Sequence, residues 1–144
     1  MKLVVQRVTE GSVSVEGNIV GQIGLGYVVF LGVGAQDTEE TARKLADKLV
    51  KIRIFADADG KTNLSLKDVD GEVLVISQFT LYADCKKNRP SFCHAGNPEL
   101  AERLYEIFLE QLRPQIRSVQ HGIFGADMKV SLCNDGPFTV LLEA

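Results

Sequence analysis

Apolar and polar residues alternate with a period of two over the first part of the chain. Residues 2–8, and then Val13 and Val15 set between Ser12, Ser14 and Glu16, carry the pattern of half-buried strands. Glu16-Gly17-Asn18 is a turn signal, so residues 18–23 are predicted to return antiparallel. Residues 27–33 are apolar almost without interruption and rich in valine, which predicts a strand buried on both faces. The period then changes. Ala42, Leu45, Ala46, Leu49 and Val50 make one apolar stripe of a helix over 37–50, with Lys44, Lys48 and Glu40 facing away. Asp37 is placed to cap this helix, with Glu40 completing a capping box. Residues 52–55 predict a short strand, and Asp57-Ala58-Asp59-Gly60-Lys61 a turn. Residues 72–79 predict another strong strand. It is followed by a long polar loop over 84–96, and loops of that length tend to be functional.

Asn97-Pro98-Glu99 opens a second helix with a cap, a proline at the first helical position and an acid in the first turn. Its stripe is Ala101, Leu104, Tyr105, Phe108 and Leu112, and Pro114 ends it. Strands are predicted around 118–123, 128–133 and 138–142. Asn134-Asp135-Gly136-Pro137, between the last two, reads as a hairpin turn. Strands outnumber helices and do not alternate strictly with them. The expected fold class is α+β: a curved, mostly antiparallel, barrel-like sheet packed by two helices, in one domain over 1–144.

Composition narrows the function. With 45% apolar and 24% charged residues the chain belongs with globular proteins. No apolar run is long enough to cross a membrane as a helix, and residues 1–7 make a poor signal peptide, so a cytoplasmic location is expected. Cys85, Cys93 and Cys133 are odd in number and lack CxxC spacing, and His94 and His121 form no H-x-x-x-H pair. No metal and no cofactor are expected. A net charge of −3 argues against a general nucleic-acid binder, yet leaves room for a local patch that grips the end of an RNA.

The common catalytic templates are missing. There is no G-x-S-x-G elbow, no P-loop and no G-x-G-x-x-G, and a Ser-His relay would need His94 or His121 to fold in. What remains is Ser77-Gln78-Phe79-Thr80 at a strand end. Two readings stand. The Ser77 and Thr80 hydroxyls satisfy backbone groups where the strand stops. Alternatively, the N–H groups of Phe79 and Thr80 converge on a substrate oxygen, with Gln78 positioning it. Residues 134–139 are equally double: a plain turn, or rigid main chain that touches a substrate.

Together these motifs resemble the D-aminoacyl-tRNA deacylase (D-Tyr-tRNA deacylase) family. The resemblance rests on Gln6-Arg7-Val8, Arg53-Ile54-Phe55, Ser77-Gln78-Phe79-Thr80-Leu81, Arg89-Pro90-Ser91-Phe92, Phe124 and Met128 within Phe124-Gly125-Ala126-Asp127-Met128, and Asn134-Asp135-Gly136-Pro137. It implies a homodimeric enzyme that hydrolyses the ester between a D-amino acid and the 3′ end of tRNA, and that also removes mischarged glycine. It further implies that a cis Gly136-Pro137 element enters the partner's active site and screens chirality through main chain, steadied by Arg7. An L side chain would meet that wall, a D side chain would point away, and glycine would pass. Ser77, Phe124 and Met128 would line the substrate pocket, the latter two against the terminal adenosine. Lys86, Lys87 and Arg89 would meet phosphates near the acceptor end. Few acid-base groups are at hand, which suits assistance by the ribose 2′-hydroxyl, with the protein supplying placement and oxyanion donors. Two alternatives are a non-catalytic module for the tRNA end and an esterase with Thr80 as nucleophile. Phe138, where valine is usual in the family, and Thr62, where methionine is common, depart from the family pattern and bear on fine specificity.

Overall fold

The computed structural model describes all 144 residues. The organising strand is β1 (Lys2–Val15), which has a different partner on each side. On one side, residues 2–8 pair antiparallel with β3 (Gly26–Gly32) and residues 11–15 with β2 (Asn18–Ile23). On the other side β8 (Lys129–Glu143) runs antiparallel along nearly the whole of it. Two pairings are parallel: β3 with β6 (Glu72–Ser77), and β6 with β7 (Val119–His121). The order is therefore β2-β1-β3-β6-β7, with β8 beside β1. The sheet is mixed, and a separate antiparallel hairpin, β4 (Arg53–Ala56) with β5 (Thr62–Ser65), lies outside it.

The sheet curls until its two ends meet. Gly21 on β2 lies against the His121 carbonyl of β7, so close that a Cβ there would stand 2.9 Å from that oxygen. The expected barrel-like form is thus nearly closed, and a glycine permits the approach. Inside is a small core of Val8, Val13, Ile23, Val28, Leu74 and Ile76. Alternate residues of the same strands, among them Tyr27, Val29, Leu31, Val73 and Val75, face outward into a larger core made with the helices α1 (Glu39–Lys51) and α2 (Pro98–Leu112). Strands β3 and β6 are buried on both faces, which explains their unbroken apolar runs. Each fully buried Leu or Val of these layers is worth about 1.5–3 kcal/mol.

Several boundaries differ from the pattern. Residues 2–15 form one strand, not two. The first helix is capped by Thr38 and not Asp37. The Asp37 carboxylate is held by the Met1 amine and by the Gly34 N–H at 2.6 Å, so the next residue takes the cap. The Thr38 hydroxyl accepts from the Thr41 N–H at 3.3 Å, and Thr41, not Glu40, completes the capping box. The cap of α2 is as expected: the Asn97 side chain accepts from the Leu100 N–H at 2.9 Å. Asp57 closes its turn by accepting the N–H groups of Asp59 and Lys61 at 2.9 and 3.0 Å. The largest difference is at the C-terminus. Residues 134–139 are not a hairpin turn, because β8 continues through them as one strand of 15 residues.

Candidate active site

Strand β6 delivers the chain to the site and stops. Its last residue is Ser77, and Phe79–Tyr82 form a single 3-10 turn. The Gln78 N–H still bonds to the Leu31 carbonyl at 2.8 Å, which anchors the turn to β3. The first N–H groups of a helical turn have no partner within it. Those of Phe79 and Thr80 donate to none of the surrounding loop carbonyls. The Gln78 amide donates to the Thr80 hydroxyl at 2.5 Å. An amide is no base, so this contact orients the hydroxyl without activating it as a nucleophile.

The turn borders a cavity of about 670 Å³. Ser77, Gln78 and Phe79 line one side, and Phe124 and Met128 another. Phe124 is backed by Tyr105 of α2, with ring centroids 5.9 Å apart. The Tyr105 hydroxyl donates to the Val75 carbonyl at 3.1 Å, and burial pushes its pKa up, so the backing is neutral and fixed. Met128 fits because residue 122 is glycine; a Cβ there would stand 2.3 Å from its Sδ. Asn97 and Pro98, at the start of α2, complete the wall. That helix end is electrically positive and favours negative charge nearby.

Residues 134–139 lie elsewhere on the molecule. Gln6 pairs with Thr139 and Val8 with Asn134, so residues 135–138 stand opposite Arg7 alone. This is a wide bulge with a cis Gly136-Pro137 peptide bond, and both residues are exposed. Arg7 braces it. Its Nε donates to the Asp135 carbonyl at 3.0 Å and its Nη1 to the Ile54 carbonyl at 2.6 Å. The guanidinium also lies 4.7 Å from the Phe138 ring centroid, a cation–π contact. Below the brace the Tyr27 hydroxyl is buried without a partner. Burial raises its pKa, against a smaller pull from Arg7, and holds it neutral.

One chain therefore brings together Ser77, Gln78, Phe79, Phe124 and Met128, with Thr80 in the same turn. Gly136, Pro137 and Arg7 are not among the residues lining that cavity. Lys86, Lys87 and Arg89 are fully exposed on the loop after the turn and outside the cavity lining. Lys86 faces Asp84 at 3.7 Å; Lys87 and Arg89 have no acidic partner. Four contributors escaped the sequence reading. Asn97 and Pro98 were legible as a helix start, but not as a cavity wall. Phe92 closes the Arg89-Pro90-Ser91-Phe92 motif, which by itself gives the ring no role. Gly122 carries no local signal, because its reason is the sulfur of Met128. The histidines stay apart from the cavity: the His121 ring meets the Gly122 carbonyl at 2.6 Å, and neither histidine lines the cavity. No three His, Cys, Asp or Glu side chains gather where they would hold a metal ion.

Known proteins resemble this chain in sequence and fold. The chain is 56% identical over its full length to the D-aminoacyl-tRNA deacylase of Fervidobacterium nodosum, covering 97% of that protein. It is 52% identical to that of Desulfotalea psychrophila, again over its full length and 97% of the relative. A solved structure titled c-Myc DNA Unwinding Element Binding Protein superposes with a TM-score of 0.95 at 44% identity, covering 100% of this chain and 99% of that one. A probable eukaryotic D-amino acid tRNA deacylase shares the fold, with a TM-score of 0.84 at 19% identity over 98% of this chain and 97% of that one. Residues 4–143 match the family described as D-Tyr-tRNA(Tyr) deacylase, and the chain belongs to it.

Proposed function

We propose that this protein hydrolyses the ester bond between a D-amino acid and the 3′ end of tRNA, releasing the free amino acid and tRNA. The observation that carries the reading is the 3-10 turn at the cavity rim, whose first N–H groups are unclaimed, in a chain of this family. The terminal adenosine occupies the cavity with its base against Phe124 and Met128. The ester carbonyl points at the N–H groups of Phe79 and Thr80. Water adds to the carbonyl carbon, the oxygen takes up the negative charge, and the two donors stabilise it. One such donor is worth about 2.7–4 kcal/mol in the transition state. The bond between the carbonyl carbon and the ribose 3′-oxygen then breaks, and that oxygen takes up the proton the water gave up and leaves as the 3′-hydroxyl of the tRNA. The neighbouring 2′-hydroxyl assists the water, and Gln78 and Ser77 hold the reacting groups in place.

Chirality is screened by main chain. In a homodimer, the exposed Gly136-Pro137 bulge of one subunit enters the cavity of the other, with Arg7 fixing its height. A wall of backbone refuses an L side chain and makes no demand on a D side chain, so glycine also passes. The reaction takes place where tRNA is charged, in the cytoplasm, and no helix here is long and apolar enough to cross a membrane. Lys86, Lys87 and Arg89 supply positive charge toward the acceptor stem.

Purified protein is expected to release D-tyrosine from D-Tyr-tRNA and to leave L-Tyr-tRNA intact. Equal rates on both would sink the chirality screen, and binding without release would turn the protein into a module for the tRNA end. Thr80→Val is expected to keep measurable turnover, since the oxyanion donor is its backbone. Complete loss in a folded, tRNA-binding variant would make Thr80 the nucleophile.

A further inference from the structure

Phe79 and Phe92 belong to neither core cluster, nor to the side chains packed against them. Phe79 is 54% exposed, although it sits in the turn that places the oxyanion donors. The two rings meet edge to face, with centroids 5.0 Å apart and planes at 64°. Such a pair leaves ring surface open, and both rings line the cavity. The cavity thus has a second aromatic surface besides Phe124.

The position of Phe92 in its loop adds charge to this surface. Asp84 and Ser91 exchange backbone hydrogen bonds of 2.8 and 2.9 Å, which closes the loop stem. Lys86, Lys87 and Arg89 occupy the tip, and Phe92 follows directly after the stem. In a chain of net charge −3, three exposed cations, of which Lys86 faces Asp84 and Lys87 and Arg89 have no acidic partner, sit on the loop whose stem leads directly into this aromatic pair. Aromatic faces beside positive charge are the general solution for single-stranded nucleic acid: bases stack and phosphates are neutralised. Other apolar occupants would not call for the cations.

We propose that Phe92, set against Phe79, is a stacking site for the nucleobase that precedes the terminal adenosine of the tRNA. This rests on the deacylase reading and adds a second nucleotide subsite to it. Stacking tolerates any base, so the site would add affinity for the single-stranded end without reading its sequence.

The test compares two substrates, D-Tyr-tRNA and D-tyrosyl-adenosine, which lacks the preceding nucleotide. For Phe92→Leu, which keeps bulk but removes the π face, kcat/KM on the tRNA is expected to fall about 5- to 150-fold. On D-tyrosyl-adenosine the loss is expected to be at least about fivefold smaller than on the tRNA, and Phe92→Tyr is expected to restore the tRNA rate. An equal loss on both substrates would mean that Phe92 only supports the turn, and would overturn the proposal. No loss on tRNA would overturn it as well. A wild-type protein inactive on both substrates would instead refute the deacylase reading beneath it.

Discussion

Gly32 ends β3 directly beneath the 3-10 turn, and its substitution tests whether that turn is the catalytic element. A Cβ at this position would stand 2.9 Å from the Leu81 Cβ, 3.0 Å from the Gln78 carbonyl oxygen and 3.3 Å from the Tyr82 ring. Comfortable separation between carbon atoms is about 3.5–4.0 Å. The first two neighbours are a Cβ and a main-chain oxygen, which cannot rotate aside. Gly32 does not have a positive φ, so alanine is tolerated by the local backbone and acts only by pushing. In Gly32→Ala the turn therefore has to rise by about 0.5 Å. Oxyanion donors work at about 2.7–3.1 Å, and a displacement of that size is enough to carry a donor to about 3.2–3.6 Å, the edge of a hydrogen bond. Losing one donor costs about 10²–10³ in kcat. The expected result is a kcat on D-Tyr-tRNA lower by about 10²-fold, with KM little changed because Phe124 and Met128 sit on other elements. Overpacking costs about 1–3 kcal/mol, so the variant should still fold, and its melting temperature checks that. A folded Gly32→Ala protein with kcat within about threefold of the wild type would refute the assignment of the turn.

Two further outcomes follow from contacts away from the turn. Gly122→Ala puts a Cβ where the Met128 sulfur now lies, at 2.3 Å, and the flexible methionine is expected to swing into the cavity; steady-state kinetics should show a raised KM with kcat nearly kept. Asp47 links the helices by accepting from the Gln111 and Gln115 amides, each at 2.9 Å, and those hydrogen bonds, Gln111 first, hold its pKa below the ordinary 3.8. The folded state then binds the proton less readily than the unfolded chain, so this contribution is complete above the unfolded pKa and is lost as pH falls through the lower, folded one. In thermal melts across that acid range, the wild type should lose stability faster than Asp47→Asn, and parallel curves would show that Asp47 contributes nothing.

What was legible in the sequence is what depends on near neighbours. The apolar stripe of α1, the Asn97-Pro98 start of α2 and the doubly buried β3 were readable because periodicity and capping are local. The cap of α1 was misplaced by one residue because Asp37 is claimed from far away, by the Met1 amine. The parallel pairings of β6 were invisible, since nothing local distinguishes a parallel neighbour. The site divides the same way. Ser77 to Thr80 stood out as polarity at a strand end, and the cavity residues Phe124 and Met128 entered only through family resemblance. Gly32 and Gly122 were ordinary glycines until the atoms opposite them were known.

Residues 134–139 show why a turn signal misled. Asn, Asp, Gly and Pro do break the ladder here, as they would in a hairpin, but β1 continues straight and β8 rejoins it. The chain therefore bulges where a hairpin would have reversed it. Arg7, opposite the bulge, pulls the Asp135 carbonyl inward and holds the Phe138 ring over its guanidinium. Gly136 has φ of +126°, and a Cβ there would stand 3.0 Å from Arg7 Nη2, so a side chain is excluded at the apex. At the apex, Gly136 and Pro137, the exposed surface is main chain and proline ring. Phe138, the departure from the family pattern, takes part in the brace through its contact with the Arg7 guanidinium. Gly136 and Pro137 are thus exposed, braced through Arg7 and outside the lining of this chain's own cavity, and the proposed homodimer accounts for all three features by letting each bulge complete the partner's site.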